Sequence, residues 1–150
     1  MAGKIGRILY ATDYSKASER ALEHAIALAG RNGAELLVVH VIEPVPAHMP
    51  GEDFGGAELY ARLAESARRE AEASMDRLMQ RLRRSRVRAK SLLLKGVAYD
   101  QIIKAAKSRN ADMIVIGTHG RTGLSRLFLG SVAARVVAAA PCPVLTVRGQ

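Results

Sequence analysis

The sequence has few aromatic residues, a single cysteine and no long apolar run. It has no Trp, two Phe and four Tyr among 150 residues, and so lacks the aromatic platform on which single-stranded nucleic acid stacks its bases. The one cysteine, Cys142, cannot form an internal disulfide, which is typical of a reducing compartment. No apolar run approaches the ~20 residues of a membrane-spanning helix. These absences argue against a single-strand-binding module, a disulfide scaffold and an integral membrane protein.

The first residues indicate the same kind of compartment. Residues 1–7 lead directly into an apolar, strand-like segment, without the long apolar stretch and small-residue cleavage site of a secretory signal. We therefore expect a cytoplasmic protein that does not insert into a membrane. With 49% apolar and 25% charged residues, the chain is expected to fold as one globular domain over residues 1–150.

The chain is strongly basic, with a net charge of +9, which favours an anionic partner without naming it. Between Arg77 and Lys90 there are seven basic residues and no acidic one, a run that could contact nucleic acid or an acidic protein. A solvated helix end followed by an edge strand explains the same run, because basic residues complement the helix dipole and discourage edge pairing. We favour this second interpretation, and nucleic acid is not an expected partner.

Apolar runs and helical periodicities alternate along the chain. The predicted strands are 7–12, 35–42, 87–94, 112–116 and 143–148, and the predicted helices begin at Ser15, near Ala57, near Tyr99 and at Gly130. Parallel strands need crossover helices, and those crossovers are right-handed. Five strands and four helices therefore predict an α/β fold with one open, doubly wound, five-stranded parallel sheet, in which ligands bind beyond the carboxyl ends of the strands.

The loop from Gly117 to Ser131 joins the fourth predicted strand to the last helix. Its glycines let backbone N–H groups approach an anion closely. Gly130 and Ser131 stand at the helix start, where free N–H groups and the positive dipole end favour phosphate, and Arg121 and Arg126 offer further contacts. The spacing fits neither a P-loop nor a G-x-G-x-x-G fingerprint. Taken alone, these glycines are equally well explained as turn residues.

The segment 112–123, DMIVIGTHGRTG, resembles the signature of the universal stress protein family. The spacing Gly117-x2-Gly120-x9-Gly130-Ser131 is similar to that of the ATP-binding members of this family, and the resemblance extends over nearly the whole chain. It implies a Rossmann-like sheet with strand order 3-2-1-4-5. One difference is Ala11, where many members have Pro, and this makes the turn after the first strand less rigid.

The resemblance implies ATP as the ligand. Adenine would be held by backbone groups at Val41, Asp13 and Thr12 would lie beside the nucleoside, and the triphosphate would lie on the glycine loop. An Asp at a strand end also caps turns without any ligand. The residues assigned in this way to the nucleotide are Ala11, Thr12, Asp13, Val41, Ile116, Gly117, Gly120, Arg121, Gly130, Ser131 and Val132.

No catalytic residue and no protein metal ligand is assigned. His119 lies in the glycine loop, where an imidazole could move protons, but no second His, Asp or Glu of that loop would orient it. The other histidines show no metal-ligand spacing. A Mg²⁺ or Mn²⁺ ion carried by the phosphates is compatible with the site, although no protein carboxylate is assigned to it.

The leading hypothesis is an ATP-binding stress-response protein that acts as a nucleotide-dependent sensor or switch, in which the nucleotide orders the loop 43–56. One alternative is a slow ATP hydrolase, for which the sequence offers no convincing base. Another is a nucleotide-free, dimeric interaction protein. The family resemblance also implies a homodimer that forms through the C-terminal strand, Val144 to Arg148.

Overall fold

The computed structural model describes residues 3–44, 56–119 and 129–149. Strands and helices alternate throughout these ranges, as the sequence predicts. The elements are β1 (Arg7–Ala11), α1 (Lys16–Asn32), β2 (Glu35–Ile42), α2 (Gly56–Arg83), β3 (Ala89–Lys95), α3 (Ala98–Ser108), β4 (Met113–Gly117), α4 (Ser131–Ala139) and β5 (Val144–Val147).

The five strands form one parallel sheet with the order β3-β2-β1-β4-β5, which confirms the predicted fold and strand order. The chain builds β2 and β3 on one side of β1, and β4 and β5 on the other. The order therefore reverses between β1 and β4. In sheets of this kind the crevice at such a switch point, beyond the carboxyl ends of the strands, is the usual place for a ligand.

Two helical layers cover the sheet. Ile8 of β1 packs in a core with Leu22 of α1 and Leu78 of α2, whereas its neighbour Leu9 packs with Ile102 of α3 and the start of α4 on the opposite face. This follows from the alternation of side chains along a strand. Ile8 and Leu9 are both fully buried, as expected for a central strand with helices on both faces.

Local sequence signals set the helix ends. The hydroxyl of Ser15 accepts a hydrogen bond from the Ser18 N–H and caps α1, and Gly33 ends that helix with a left-handed backbone at φ 64°. The sequence predicts the start of this helix at Ser15, and glycine is the residue that most readily adopts the left-handed conformation at a helix end. β3 begins at Ala89, two residues later than predicted, because Arg86 turns the chain with φ 61° after α2. No helix in the described ranges is both long and apolar enough to cross a bilayer.

Candidate functional site

The end of β1 is tied to the start of α1 by Asp13. Its Oδ1 accepts hydrogen bonds from the Ser15 N–H (3.0 Å) and from the Ser18 hydroxyl (2.7 Å). The N–H of Thr12 donates to the Val39 carbonyl at 2.9 Å and extends the β1–β2 pairing by one bond. The turn-capping role that the sequence allows for Asp13 is therefore present, and it places this carboxylate at the carboxyl edge of the sheet.

A buried hydroxyl supports this turn from below. Tyr10 is 1% exposed, and its hydroxyl donates to the Ser18 carbonyl at 2.7 Å. Burial raises the pKa of the Tyr10 hydroxyl well above its ordinary value, because the phenolate would be poorly solvated there. Tyr10 is therefore a neutral structural donor that fixes the first turn of α1 against β1.

Tyr14 and His40 form the wall of the site between β1, β2 and α2. Tyr14 has a left-handed backbone at φ 62°, its ring lies 4.6 Å from the His40 ring, and its hydroxyl donates to the Ala71 carbonyl at 3.4 Å. Nδ1 of His40 lies 2.7 Å from the Thr12 carbonyl oxygen. Since a carbonyl only accepts, this nitrogen carries the proton. The wall thus links three elements by specific contacts.

The glycines at the end of β4 and at the start of α4 have a packing reason. A Cβ on Gly117 would lie 2.8 Å from the Ala17 carbonyl carbon, and a Cβ on Gly130 would lie 2.8 Å from the Thr118 carbonyl oxygen. Real Cβ atoms essentially never approach so closely. Both positions therefore need glycine for the fold itself, whatever binds above them.

The N-terminus of α4 offers unpaired backbone donors. The helix begins at Ser131 with Gly130 as its N-cap, and it has neither a side-chain cap nor an acidic residue in its first turn. The first N–H groups of any helix lack partners within it, and they carry the positive end of its dipole. Ser131 is exposed. These groups can therefore hold an anion.

One cavity of about 510 Å³ joins these features, a volume in the usual range for small-molecule sites. Nine of the eleven residues assigned from the sequence line it, and they come from four separate segments. They are Ala11, Thr12, Asp13, Val41, Ile116, Gly117, Gly130, Ser131 and Val132. The other two, Gly120 and Arg121, lie outside the described residues.

The charged side chains of the described cavity lining are all acidic. Three carboxylates, those of Asp13, Glu43 and Glu70, line it, and no Lys or Arg does so among the described residues. Within the described lining, the groups that can donate to an anion include backbone N–H groups and hydroxyls. The carboxylates favour hydrogen-bond donors such as sugar hydroxyls. The cavity thus combines these acceptors with the N–H donors at the start of α4.

Sequence reasoning missed the contribution of α2. Glu70 and Ser74 line the cavity, although they occur more than forty residues before the glycine loop and carry no motif. The spacing of the apolar residues around them shows only which side of α2 packs on the sheet. His119, considered as a catalytic residue, also lines the cavity, and its Nδ1 lies 2.9 Å from the Thr118 hydroxyl.

Residues 4–148 match the Universal stress protein family. The chain belongs to this family. A universal stress protein of Thermus aquaticus is 45% identical over 143 residues, which cover 94% of this chain and 97% of that protein. Another, from Methanocaldococcus jannaschii, is 36% identical over 143 residues, with 95% and 81% of the two chains covered.

Solved structures of universal stress proteins have the same fold. The structure of a universal stress protein from Lactobacillus plantarum superposes with a TM-score of 0.84 at 27% identity, and the alignment covers 97% of this chain and 99% of that one. A family member from Arabidopsis thaliana, solved with AMP bound, has a TM-score of 0.68 at 22% identity, with 97% and 92% of the two chains covered. At this identity the likeness to the AMP-bound protein shows the fold alone.

Proposed function

We propose that this universal stress protein binds ATP in the cavity at the carboxyl edge of its sheet and acts in the cytoplasm as a nucleotide-dependent sensor or switch. The observation that carries the proposal is the convergence of four separate segments on one cavity at the switch point of the sheet. These segments are residues 11–13, 41, 116–117 and 130–132. Adenine nucleotide binding by a protein of the same fold, as in the AMP-bound Arabidopsis structure, supports the ligand class.

The triphosphate would lie on the N-terminus of α4. Backbone N–H groups and the positive dipole end attract anions there, and the first turn has no acidic residue to oppose them. Ser131 and Thr118, which both line the cavity, add hydroxyl donors.

Adenine fits the end of β2, since β1 stops before β2 does. Val39 is the last residue of β2 paired with β1, and its carbonyl accepts from Thr12, whereas the Ile42 carbonyl accepts from Gly96 on the β3 side. Because backbone groups alternate in direction along a strand, those of Val41 point to the side where β1 has ended. A backbone N–H and C=O at this position match the N1 acceptor and the amino donor of adenine.

The ribose and any metal ion occupy the space between these ends. Asp13 and Glu70 accept hydrogen bonds from sugar hydroxyls. Within the described ranges no group of three or more His, Cys, Asp or Glu could hold a metal ion. A Mg²⁺ or Mn²⁺ ion would therefore come with the phosphates, as it commonly does for nucleotides.

The test exchanges one exposed side chain at the start of α4. Ser131→Asp complements the helix dipole, and so the fold should be at least as stable as the wild type, but the new carboxylate repels phosphate. Ser131→Asn is the neutral control of nearly the same shape. By calorimetry with ATP and Mg²⁺, the Asp variant should bind about tenfold more weakly, equal to ~1.4 kcal/mol, and the Asn variant should bind nearly as the wild type does. A wild type without any heat of binding, or equal affinities in the two variants, would refute the proposal.

The proposal includes a homodimer that forms through β5 and Arg148. β5 is an edge strand that pairs with β4 on one side only among the described residues. Its unpaired side can continue the sheet with a second copy across a two-fold axis. Sedimentation equilibrium of the wild-type sample used for calorimetry should give twice the chain mass of 16.1 kDa.

A further inference from the structure

The amino edge of the sheet lies opposite to the cavity and collects basic side chains. All strands begin at this edge, and α1, α2 and α3 end there because each helix runs back across the sheet. We call the exposed basic residues of this edge the basic pole. They are Lys4, Arg31, Arg83, Arg84, Arg86, Arg88, Lys90, Lys107 and Arg109.

Hydrogen bonds join the segments that carry these residues. The Arg88 guanidinium donates to the Gly33 carbonyl at 3.1 Å, which connects the start of β3 to the end of α1. The Arg7 guanidinium donates to the Arg109 carbonyl at 2.5 Å, which connects β1 to the end of α3. The fold therefore adds residues from the chain start, α1 and α3 to the basic run 77–90, which the sequence presents alone.

The charge of the basic pole is largely uncompensated. Glu35 pairs with Arg7 (3.2 Å) and with Lys90 (3.5 Å), and Asp112 accepts from the backbone N–H groups of Gly6 and Arg7. Eight members make no ion pair with any carboxylate that the structure describes. These are Lys4, Arg31, Arg83, Arg84, Arg86, Arg88, Lys107 and Arg109.

Neither helix dipoles nor edge protection accounts for the whole set. One basic residue at each helix end would satisfy the dipole, and Lys90 alone would protect the edge strand β3. Three arginines, at positions 83, 84 and 86, follow one another at the end of α2 and leave an excess of like charge. Such an excess costs free energy unless an anionic partner is present.

The chemistry of the basic pole favours a phosphate polymer. None of the described large apolar side chains that are exposed lies at residues 3–7, at the C-terminal ends of α1, α2 and α3, or at the start of β3. Protein partners and membrane insertion, in contrast, use apolar or aromatic anchors. Six of its nine members are arginines, whose planar guanidinium binds phosphate through two hydrogen bonds. The scarcity of aromatic residues disfavours single strands. We infer that the basic pole binds the phosphate backbone of duplex nucleic acid without reading its sequence.

The experiment measures anisotropy of a fluorescein-labelled DNA duplex of mixed sequence, about two helical turns long, with the full chain at several salt concentrations. The test variant carries Arg83→Glu, Arg84→Glu and Arg109→Glu. The matched control carries Lys16→Glu, Arg20→Glu and Lys95→Glu, at exposed positions towards the other edge that have no ion pair with a described carboxylate. Both variants have the same net charge of +3, reduced from +9.

The wild type should bind the duplex at low salt. The basic-pole variant should bind at least about tenfold more weakly, and its slope of log K against log salt should fall by about three, since each lost phosphate contact removes about 0.9. The control should stay within about threefold of the wild type. Thermal unfolding checks that both variants fold. If the triple variant does not fold, Arg84→Glu and Arg20→Glu give the same comparison with a slope change of about one.

Three results would overturn the inference. The first is a wild type that does not bind the duplex at low salt. The second is an equal loss of binding in the test and control variants, because net charge alone would then explain it. The third is a basic-pole variant that still binds the duplex but no longer binds phosphatidylserine vesicles or poly-glutamate, since the partner would then be a membrane surface or an acidic protein.

Discussion

The two edges of the sheet carry opposite combinations of backbone dipole and side-chain charge. At the carboxyl edge, the positive N-terminal ends of α1 and α4 meet three carboxylates, and no described Lys or Arg lines the cavity. At the amino edge, the negative ends of three helices meet nine exposed basic residues. A count of the described side-chain charges would therefore favour anions at the amino edge alone, whereas the backbone donors at the start of α4 can attract an anion to the carboxyl edge as well.

The edges also differ in how closely they are packed. The carboxyl edge depends on short backbone approaches at Gly117 and Gly130. At the amino edge, a Cβ on Gly6 would make only an ordinary contact of 3.6 Å with the Asp112 carboxylate. Exposed side chains such as Arg88 donate there to carbonyls such as that of Gly33. We therefore expect substitutions at the carboxyl edge to be costly for the fold, and those at the amino edge to be tolerated.

The largest effect on stability is expected when a glycine near each edge is replaced by alanine. Gly117→Ala places a methyl group 2.8 Å from the backbone of Ala17 and should lower the free energy of unfolding by about 2–3 kcal/mol. Gly30→Ala, near the end of α1 where a Cβ meets nothing within 4 Å, should raise it by about 0.5–1 kcal/mol. Urea unfolding followed by circular dichroism measures both. Equal stability of the two variants would contradict the packing difference between the edges.

The fold was predictable because its signals are local. Apolar runs, the Ser15 cap and the Gly33 stop give the order of elements, and parallel pairing follows from the crossover helices. Ends moved by one or two residues, as at β3, where the left-handed turn at Arg86 delays the strand. Such shifts depend on backbone angles that residue type alone does not determine.

Much of the site was less predictable because its contacts are distant in sequence. Resemblance to a known family supplied Val41 and the glycine spacing. The contribution of Glu70 depends on the packing of α2 over the cavity, and the basic pole depends on helix ends up to about eighty residues apart. The reason for glycine at position 117 is its contact with Ala17, one hundred residues away, which no local pattern contains.

A smaller effect is expected when one of two aspartates, Asp13 at the carboxyl edge or Asp112 at the amino edge, is replaced by alanine. Asp13 accepts hydrogen bonds from Ser15 and Ser18, and Asp112 accepts from the N–H groups of Gly6 and Arg7, both at 2.8 Å. Replacing either by Ala should cost about 1 kcal/mol of stability through the lost acceptor. Only Asp13→Ala should also weaken ATP binding, since Asp112 lies far from the cavity. Calorimetry measures the ATP affinity of both variants. An equal loss of affinity in the two variants would show that a change at the amino edge also alters the cavity at the carboxyl edge.

The smallest effect is expected from the charged residues of α2. Unlike most residues of the basic pole, the arginines in the middle of α2 are paired with carboxylates. Hydrogen bonds from Arg68 and Arg69 lower the pKa of the Glu65 carboxyl from its ordinary 4.5 to about 2. Because the folded pKa lies below the unfolded value, the stabilisation is present above about pH 4.5 and is lost as the pH falls towards 2. It is weak because the group is exposed and screened by salt.

An NMR titration of the Glu65 carboxyl measures this pKa directly. Replacing Arg68 and Arg69 together by Gln should return it towards 4.5, because both donors are lost. The control Arg84→Gln removes a charge of the basic pole that has no described carboxylate partner, and it should leave the Glu65 pKa unchanged. A wild-type pKa that is already near 4.5 would mean that the arginines of α2 are as unpaired in solution as those of the basic pole. The excess of free positive charge would then no longer distinguish the amino edge from the rest of the surface.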